Sequence, residues 1–307
     1  MTSFYEIPPW LVAGYIGIVG ALVGSFLNVV IARLPEEQSV VRPRSRCPRC
    51  KKNIAWYDNI PILSWLLLGA KCRDCKLPIP FRYPLVEALM GLIALAAYIR
   101  FGLSTELLLW GPLSAALLAI TFLDIDHFWI PDRIVFPSMA FVFALSWLPG
   151  TIPPVQALLG LLPALLLWAV GATFFKLTGR EGMGFGDVKL LALVGMALGA
   201  PSTFLVLTWS AMQGALIGII INLSGGHEAK TISSESESES ESESESREEH
   251  ESADVKTDTK EEECQEEEEW TPPPGAFPFG PFIVLATYEM AFLPEIFGRL
   301  FNLFGLV

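Results

Sequence analysis

The chain has 307 residues, of which 52% are hydrophobic and 18% charged, with a mean hydropathy of +0.46 and a formal net charge of −12. These values lie outside the range of soluble domains and exclude an ordinary soluble globular enzyme. We therefore predict a chain whose main solvent is membrane lipid, and we predict no nucleic-acid partner.

Apolar runs of about 20 residues, the length that crosses a hydrocarbon core of roughly 30 Å, predict about eight transmembrane helices, of which the sixth is the shortest. They lie near residues 10–32, 84–101, 107–124, 130–149, 154–176, 187–200, 202–222 and 278–304. Glu6 precedes the first run, no basic residue does, and no small-residue cleavage site ends it. We interpret the first run as a retained helix rather than a cleavable signal peptide.

Basic residues fix the predicted orientation, because short cytoplasmic loops hold the excess of lysine and arginine. Eleven of the 21 basic residues lie between residues 33 and 82. We therefore place this segment in the cytoplasm and the amino terminus outside. Counting crossings from there leaves only Arg100 and Arg299 on the outer side.

The negative charge comes from one segment near the carboxyl end. Residues 224–270 contain 19 acidic and 4 basic residues, including a Ser-Glu repeat, and no aromatic residue before Trp270. Such a segment cannot bury enough apolar surface to offset its ordering entropy, so we predict a disordered cytoplasmic insert. An acidic docking tail for a basic partner is the alternative.

These features divide the chain into five parts, which together predict an all-α polytopic membrane protein with a small cytoplasmic loop domain. The parts are a first transmembrane helix (10–32), a zinc-binding loop (33–83), a membrane core (84–223), the acidic insert (224–276) and a last transmembrane helix (277–307).

Four cysteines form two C-x2-C pairs, with 21 residues between the pairs. They are Cys47, Cys50, Cys72 and Cys75. Two such turns deliver four thiolates to one tetrahedral zinc ion and leave no position for water, so we predict a structural zinc ribbon-like site. Two disulfides or four unrelated thiols are the alternatives, and a reducing cytoplasm argues against disulfides. Cys264 lies alone in the acidic insert.

Ionisable residues at membrane depth are costly and usually mark function. The candidates are Glu87, Asp124, Asp126, Asp132 and Asp187. Asp124 ends the third apolar run, and Asp187 follows a glycine-rich stretch at the start of the sixth. The count of crossings places both aspartates at the cytoplasmic face, although they lie 63 residues apart in sequence.

Two carboxylates that meet can share a proton and hydrolyse a peptide bond through water. The sequence contains neither Gly-x-Ser-x-Gly nor His-Glu-x-x-His, the motifs of other hydrolases. His127, beside Asp126, is a candidate proton carrier or an interface residue. Two alternatives stay open for the aspartate pair: ion pairing with Arg133, Lys189 or Arg180, and an ion pathway in a membrane carrier.

The chain resembles the type IV prepilin peptidases, membrane aspartyl proteases of the Gly-x-Gly-Asp class. Besides the paired cysteines, the strings that carry this resemblance lie at residues 24–30, 33–35, 59–61, 82–87, 124–127, 131–132, 181–191 and 278–282. Together they cover nearly the whole chain in the family's order. The acidic insert before Pro278 is longer than this family leads us to expect.

The resemblance implies that Asp124 and Asp187 are the protease pair, in a multi-pass protein of the bacterial inner membrane. It implies prepilin and pseudopilin substrates, and methylation of the new amino terminus with S-adenosylmethionine. No Gly-x-Gly-x-x-Gly signature marks a methyl-donor site, which leaves Glu87 and the cysteine loop as candidates, with a scaffold role as the alternative. A peptidase without methyltransferase activity is the second possible function, and the carrier is the third.

Overall fold

The computed structural model describes residues 8–42, 44–47, 49–179, 184–225 and 277–295. The predicted insert, apart from its first two residues, lies outside them, as do Cys264, Arg180 and the end of the last predicted helix. The chain divides into two compact units, Met1–Ala211 with Pro278–Val307, and Met212–Phe277. Every site discussed below lies in the first unit.

The regular secondary structure of the described residues is helical, and the pairing between extended segments there consists of isolated bridges. The helices are α1 (Pro9–Arg33), α2 (Leu63–Leu67), α3 (Arg82–Phe101), α4 (Thr105–His127), α5 (Asp132–Leu145), α6 (Pro154–Leu159), α7 (Leu162–Thr178), α8 (Phe185–Leu198), α9 (Ala200–Gly225) and α10 (Gly280–Phe292). A 3-10 turn spans Trp56–Asn59. The prediction of an all-α fold is confirmed.

Within the described residues, five apolar helical stretches are long enough to cross a membrane, and the chain is a multi-pass membrane protein. They correspond to the predicted spans in α1, α3, α4, the α6–α7 pair and α9. The other three predicted spans correspond to shorter helices, since α5 and α8 have 14 residues each and α10 has 13. Helices α5 and α10 are shorter than the apolar runs 130–149 and 278–304, whereas α8 has the same length as the run 187–200, which was predicted as the shortest span.

Close backbone contact joins α1 to α3. A Cβ atom at Gly20 would lie 2.6 Å from the Cβ of Ala94, and one at Gly24 would lie 2.7 Å from the Cα of Glu87. Small residues four apart therefore let the two helices approach closely, as they do in other membrane helix pairs. This contact fixes the start of α3 against the second half of α1.

Helix α4 links two hydrophobic clusters. One cluster combines α4 with α1 and α3 around Leu27, Val86 and Leu123. The other combines α4 with α5, α8 and α10 around residues such as Leu117 and Leu190. With 61% of its apolar window buried, against 33% or less in the other four spans, α4 is the central helix. Its last turn carries Asp124.

The cysteine loop between α1 and α3 consists of two similar turns. In the first, Arg46 bridges to Asn53 and Lys51 has a φ of +59°. In the second, Lys71 bridges to Pro78 and a lysine one position after the second cysteine again has a φ of +59°. The repeated geometry turns both C-x2-C pairs toward one point.

Candidate functional site

Asp124 is a buried carboxylate in the last turn of α4, with 5% of its surface exposed. Its Oδ2 accepts a hydrogen bond of 2.9 Å from the backbone N–H of Gly280, the first residue of α10. The N-terminus of a helix carries partial positive charge and unpaired N–H groups, which stabilise an anion there. The fold therefore directs the amino end of α10 at the Asp124 carboxylate.

Glycine is required at position 280 by this approach. A Cβ atom there would lie 2.5 Å from Asp124 Oδ2 and 3.5 Å from a methyl carbon of Leu190. Because the first distance is well below van der Waals contact, any side chain at position 280 would displace the carboxylate. Pro281 follows at a position where a helix does not need an N–H donor.

Asp187 lies in the first turn of α8 and is half-buried. It stands close enough to Asp124 for the two carboxylates to repel each other electrostatically. Gly186 makes this possible, since a Cβ atom there would lie 3.2 Å from the side chain of Ile130, in the connection between α4 and α5. The structure thus brings together the two aspartates that the sequence pointed to.

The cations predicted as alternative partners bind other carboxylates. Lys189 forms an ion pair with Asp132, and Arg133 pairs with Glu37 at 3.1 Å. Across the described ranges neither Asp124 nor Asp187 has an ion pair with a lysine or arginine. The interpretation that the two aspartates are ion-paired with Lys189 or Arg133 therefore lacks support. Arg180, the third cation predicted as a partner, lies outside the described ranges.

Asp126 and His127 differ from the aspartate pair in their surroundings. Asp126 pairs with Arg82 at the start of α3, and the Arg82 guanidinium lies over the ring of Phe122, 5.3 Å from its centre. His127 is exposed at the end of α4. Asp126 therefore holds α3 against α4, and its charge is already balanced.

The four cysteines converge as predicted from their spacing. The Sγ atoms of Cys47, Cys50, Cys72 and Cys75 all lie within 4.8 Å of one another, and those of Cys47 and Cys75 are 3.9 Å apart. Zinc–sulfur bonds of about 2.3 Å in a tetrahedron require sulfur atoms roughly 3.8 Å apart. The cluster therefore has the size of a zinc site with four cysteine ligands.

The thiols of the cluster differ in how readily they ionise without a metal. Burial opposes ionisation of Cys47, but the backbone N–H groups of Cys50 and Arg49 lower its pKa to about 7. The N–H of Leu77 favours the Cys75 thiolate, yet burial and hydrogen bonds with the neighbouring thiols raise the pKa of Cys75 to about 11. Four thiolates this close need a cation among them, and a divalent metal supplies that charge.

Glu87 lies on α3, buried beside α1 and the loop. Its Oε2 accepts a hydrogen bond of 2.7 Å from the backbone N–H of Ile62. Asn28 of α1 donates to the carbonyl of Tyr83 at 3.1 Å and ties the same helices together. Glu87 thus has a scaffold contact, and it also lines a cavity that is described below.

Sequence reasoning missed three contributions to these sites. Gly280 was part of a recognised string, but no role was assigned to its N–H group. The glycine-rich stretch before Asp187 was interpreted as able to bring the backbone close to another segment, but Ile130 was not identified as the residue that Gly186 contacts. The hydrogen bond from Ile62 to Glu87 had no signal in the sequence. The role of the Gly280 N–H group could have been indicated by its pattern, a Gly-Pro pair at the start of an apolar helix.

Apolar helices that present two carboxylates at adjoining helix ends, beside a four-cysteine loop, define a polytopic membrane protein with an aspartate-pair site. The family model for the bacterial peptidase A24 N-terminal domain matches residues 18–101, and that for the type IV leader peptidase family matches residues 112–219. The chain belongs to the type IV leader peptidase family.

Curated relatives support this assignment. A prepilin leader peptidase/N-methyltransferase of Myxococcus xanthus is 38% identical, over 94% of this chain and 92% of the relative. The protein of that name from Aeromonas hydrophila is also 38% identical, over 73% of this chain and 86% of its own length. The one from Pseudomonas aeruginosa is 36% identical, over 66% and 79%. No solved structure matches the chain.

Proposed function

We propose that Asp124 and Asp187 are the catalytic pair with which this chain removes the leader from prepilins and pseudopilins. Family membership and the names of the relatives make the chain a prepilin-processing peptidase with N-methyltransferase activity. The observation that carries the proposal is the buried Asp124 carboxylate, bonded to Gly280 N–H and electrostatically coupled to Asp187. Ion-coupled transport has no corresponding support.

Hydrolysis by two carboxylates requires one ionised and one protonated member. The ionised carboxylate takes a proton from water while the protonated one donates to the carbonyl oxygen of the scissile bond. The oxygen of the water bonds to the carbonyl carbon. The carbon–nitrogen bond then breaks as the nitrogen takes the proton held by the first carboxylate, and the second carboxylate recovers its proton from a hydroxyl group of the intermediate. No nucleophile from the protein is required.

The surroundings distinguish the roles of the two aspartates. The Gly280 N–H and the amino end of α10 favour negative charge on Asp124, which we assign as the base. No hydrogen bond reaches the Asp187 carboxylate within the described part of the chain, and it faces the charge of its neighbour. We therefore assign Asp187 as the proton donor.

We place the pair at the cytoplasmic face of the bacterial inner membrane. The loop between α1 and α3 carries most of the basic residues of the folded part, which favours a cytoplasmic location. Prepilin leaders are short and basic and precede an apolar helix, so their cleavage site lies at the boundary between membrane and cytoplasm. Asp124 and Asp187 lie at helix ends, as cleavage at such a boundary requires.

Two further components complete the proposal. The four cysteine sulfurs would hold a structural zinc ion, for which their spacing fits. S-adenosylmethionine would supply the methyl group for the new amino terminus. We propose that the cysteine loop with α1 and α3 serves methylation, while α4, α5, α8 and α10 serve cleavage.

The test uses purified protein in detergent with a prepilin, scored by the mass of the product. Asp124→Asn and Asp187→Asn should each lower the rate of leader removal by about 10³-fold or more, because an amide supplies neither base nor acid. Asp126→Asn is the matched control, since Asp126 pairs with Arg82, and it should stay within about tenfold of wild type.

Near wild-type cleavage by either Asp124→Asn or Asp187→Asn would overturn the assignment. A severe loss in Asp126→Asn alone, with the other two active, would move the catalytic role to Asp126. Thermal unfolding of each variant separates loss of chemistry from loss of fold.

A further inference from the structure

A cavity of about 440 Å³ lies between the second half of α1, the cysteine loop and the first turns of α3. Its size is typical of small-molecule sites, which range from about 300 to 1,000 Å³. Among the described residues, none from α4 or α8 lines it, so it is separate from the aspartate pair. Its walls include the aromatic side chains Tyr57, Trp65 and Tyr83.

Glu87 is the distinctive charge in this cavity. Three carboxylates line the cavity, and two are neutralised: Asp58 accepts hydrogen bonds of 2.7 and 2.6 Å from Arg73, and Asp74 pairs with Lys52 at 3.0 Å. Glu87, 9% exposed, has no cationic partner in the described part of the chain. Burial without a cation disfavours a charged carboxylate, so a ligand that carries positive charge would be stabilised beside Glu87.

A strained turn lies directly beside Glu87. Ile62 has φ +61° and ψ −50°, and the N–H of Leu63 reaches back to the carbonyl of Pro61 at 2.5 Å, which defines a γ-turn. The N–H of Ile62 donates to Glu87 at 2.7 Å. Strain of this kind clusters at ligand-binding sites. One carboxylate oxygen holds the turn, and an ionised carboxylate can accept further hydrogen bonds.

We infer that this cavity binds S-adenosylmethionine and that Glu87 balances the positive charge of its sulfonium group. The inference rests on the proposed function, which assigns methylation to the cysteine loop with α1 and α3 but names no residue that binds the donor. Aromatic walls suit an adenine ring, and exposed arginines at the rim, such as Arg46 and Arg49, suit the carboxylate of the donor. The donor would supply a methyl group to the substrate amine, whose nitrogen bonds to the methyl carbon as the carbon–sulfur bond breaks toward sulfur and a proton leaves to water.

The aspartate pair and the cavity are connected through α3 and α4, which supports their use one after the other by the same substrate. Tyr83 lines the cavity, and the preceding residue, Arg82, pairs with Asp126, two residues from Asp124. The α3–α4 contact therefore borders both sites.

The experiment measures the affinity of the purified full-length protein for three ligands by equilibrium dialysis. S-adenosylmethionine and sinefungin carry positive charge at the sulfonium position, whereas S-adenosylhomocysteine does not. Glu87→Gln removes the charge and keeps an amide oxygen that can accept the Ile62 N–H. We expect this variant to weaken binding of the two charged ligands by about ten- to a hundredfold, and binding of the uncharged-sulfur ligand by less than about threefold.

Glu289→Gln is the matched control, because Glu289 lies on α10 and accepts the indole N–H of Trp209 at 2.7 Å. It should bind all three ligands like wild type. Ala32→Trp tests the cavity itself, since Ala32 lines it and an indole would occupy its volume. This variant should bind all three ligands more weakly, and it should keep the zinc content and the cleavage activity of the wild-type protein.

Unchanged affinities in Glu87→Gln, or equal losses for all three ligands, would overturn the role of its charge. Unchanged binding in Ala32→Trp would overturn the location. Failure of the proposed function gives a different result, since wild-type protein would then leave a prepilin uncleaved whatever its affinity for the donor. Asp124→Asn should abolish cleavage and bind the donor like wild type.

Discussion

The cysteine loop and the aspartate pair organise their functional groups in opposite ways. Each cysteine turn closes within a few residues, through the Arg46–Asn53 and Lys71–Pro78 bridges. The aspartate pair depends on distant contacts, and the hydrogen bond from Gly280 to Asp124 spans 156 positions. The loop is therefore a locally folded unit, whereas the aspartate site exists only when the helices are packed. Perturbing each region should affect a different activity.

Disrupting the cysteine loop should produce the largest difference between the two activities, methylation and cleavage. Cys47→Ser or Cys72→Ser removes a buried thiol that we propose binds zinc, and a structural zinc site contributes roughly 10 kcal/mol or more to folding at neutral pH. We expect the variants to lose zinc, to disorder residues 42–80 and to lose nearly all methylation, with a smaller loss of cleavage. The measurement is zinc content by elemental analysis beside the masses of the two products.

The control for this prediction is Cys264→Ser, which lies outside the C-x2-C pattern and should keep wild-type zinc content. Wild-type protein without zinc, or a Cys72→Ser protein that methylates normally, would show that the two regions are not separable in this way.

Adding a single methyl group at the amino end of α10 should have the opposite effect, with cleavage lost and binding of the methyl donor kept. Gly280→Ala places a Cβ atom 2.5 Å from Asp124 Oδ2, so the carboxylate must move and its hydrogen bond is disturbed. We expect leader removal to fall by about ten- to a hundredfold, with affinity for the methyl donor unchanged. The measurement is kcat/KM on a prepilin beside donor binding.

Gly111→Ala is a matched control on the same helix as Asp124, because no atom lies within 4 Å of a Cβ atom there. It should cleave like wild type. If the Gly280→Ala protein is as active as this control, the contact between Gly280 and Asp124 does not contribute to cleavage.

Deletion of residues 233–269 should have the smallest effect. This part of the acidic insert is highly charged and lacks aromatic residues, so the sequence predicts little contribution to packing. We expect cleavage and methylation of a model prepilin to stay within about twofold of wild type. Loss of folded protein from the membrane after this deletion would reveal a structural partner for the insert.

Much of this protein was determined by the sequence alone, because the relevant signals are local or compositional. Hydropathy predicted a multi-pass helical membrane protein, since the cost of placing polar groups in lipid adds up along the chain. Two C-x2-C pairs predicted the cysteine cluster, because each turn brings its own ligands together. The cost of charge at membrane depth selected Asp124, Asp187 and Glu87.

Tertiary structure decided what these residues contact, because no local preference encodes contacts between distant segments. Hydropathy could not show that α5 and α10 are short, because it measures apolar runs and not where helices start and end. Packing brought Asp187 beside Asp124 through Gly186, and it directed the amino end of α10 at one of the two carboxylates. It also placed the strained turn at Ile62 against Glu87. Sequence chose the ionisable groups, and long-range packing gave each its partner, because a buried charge is stabilised only by groups that folding brings to it.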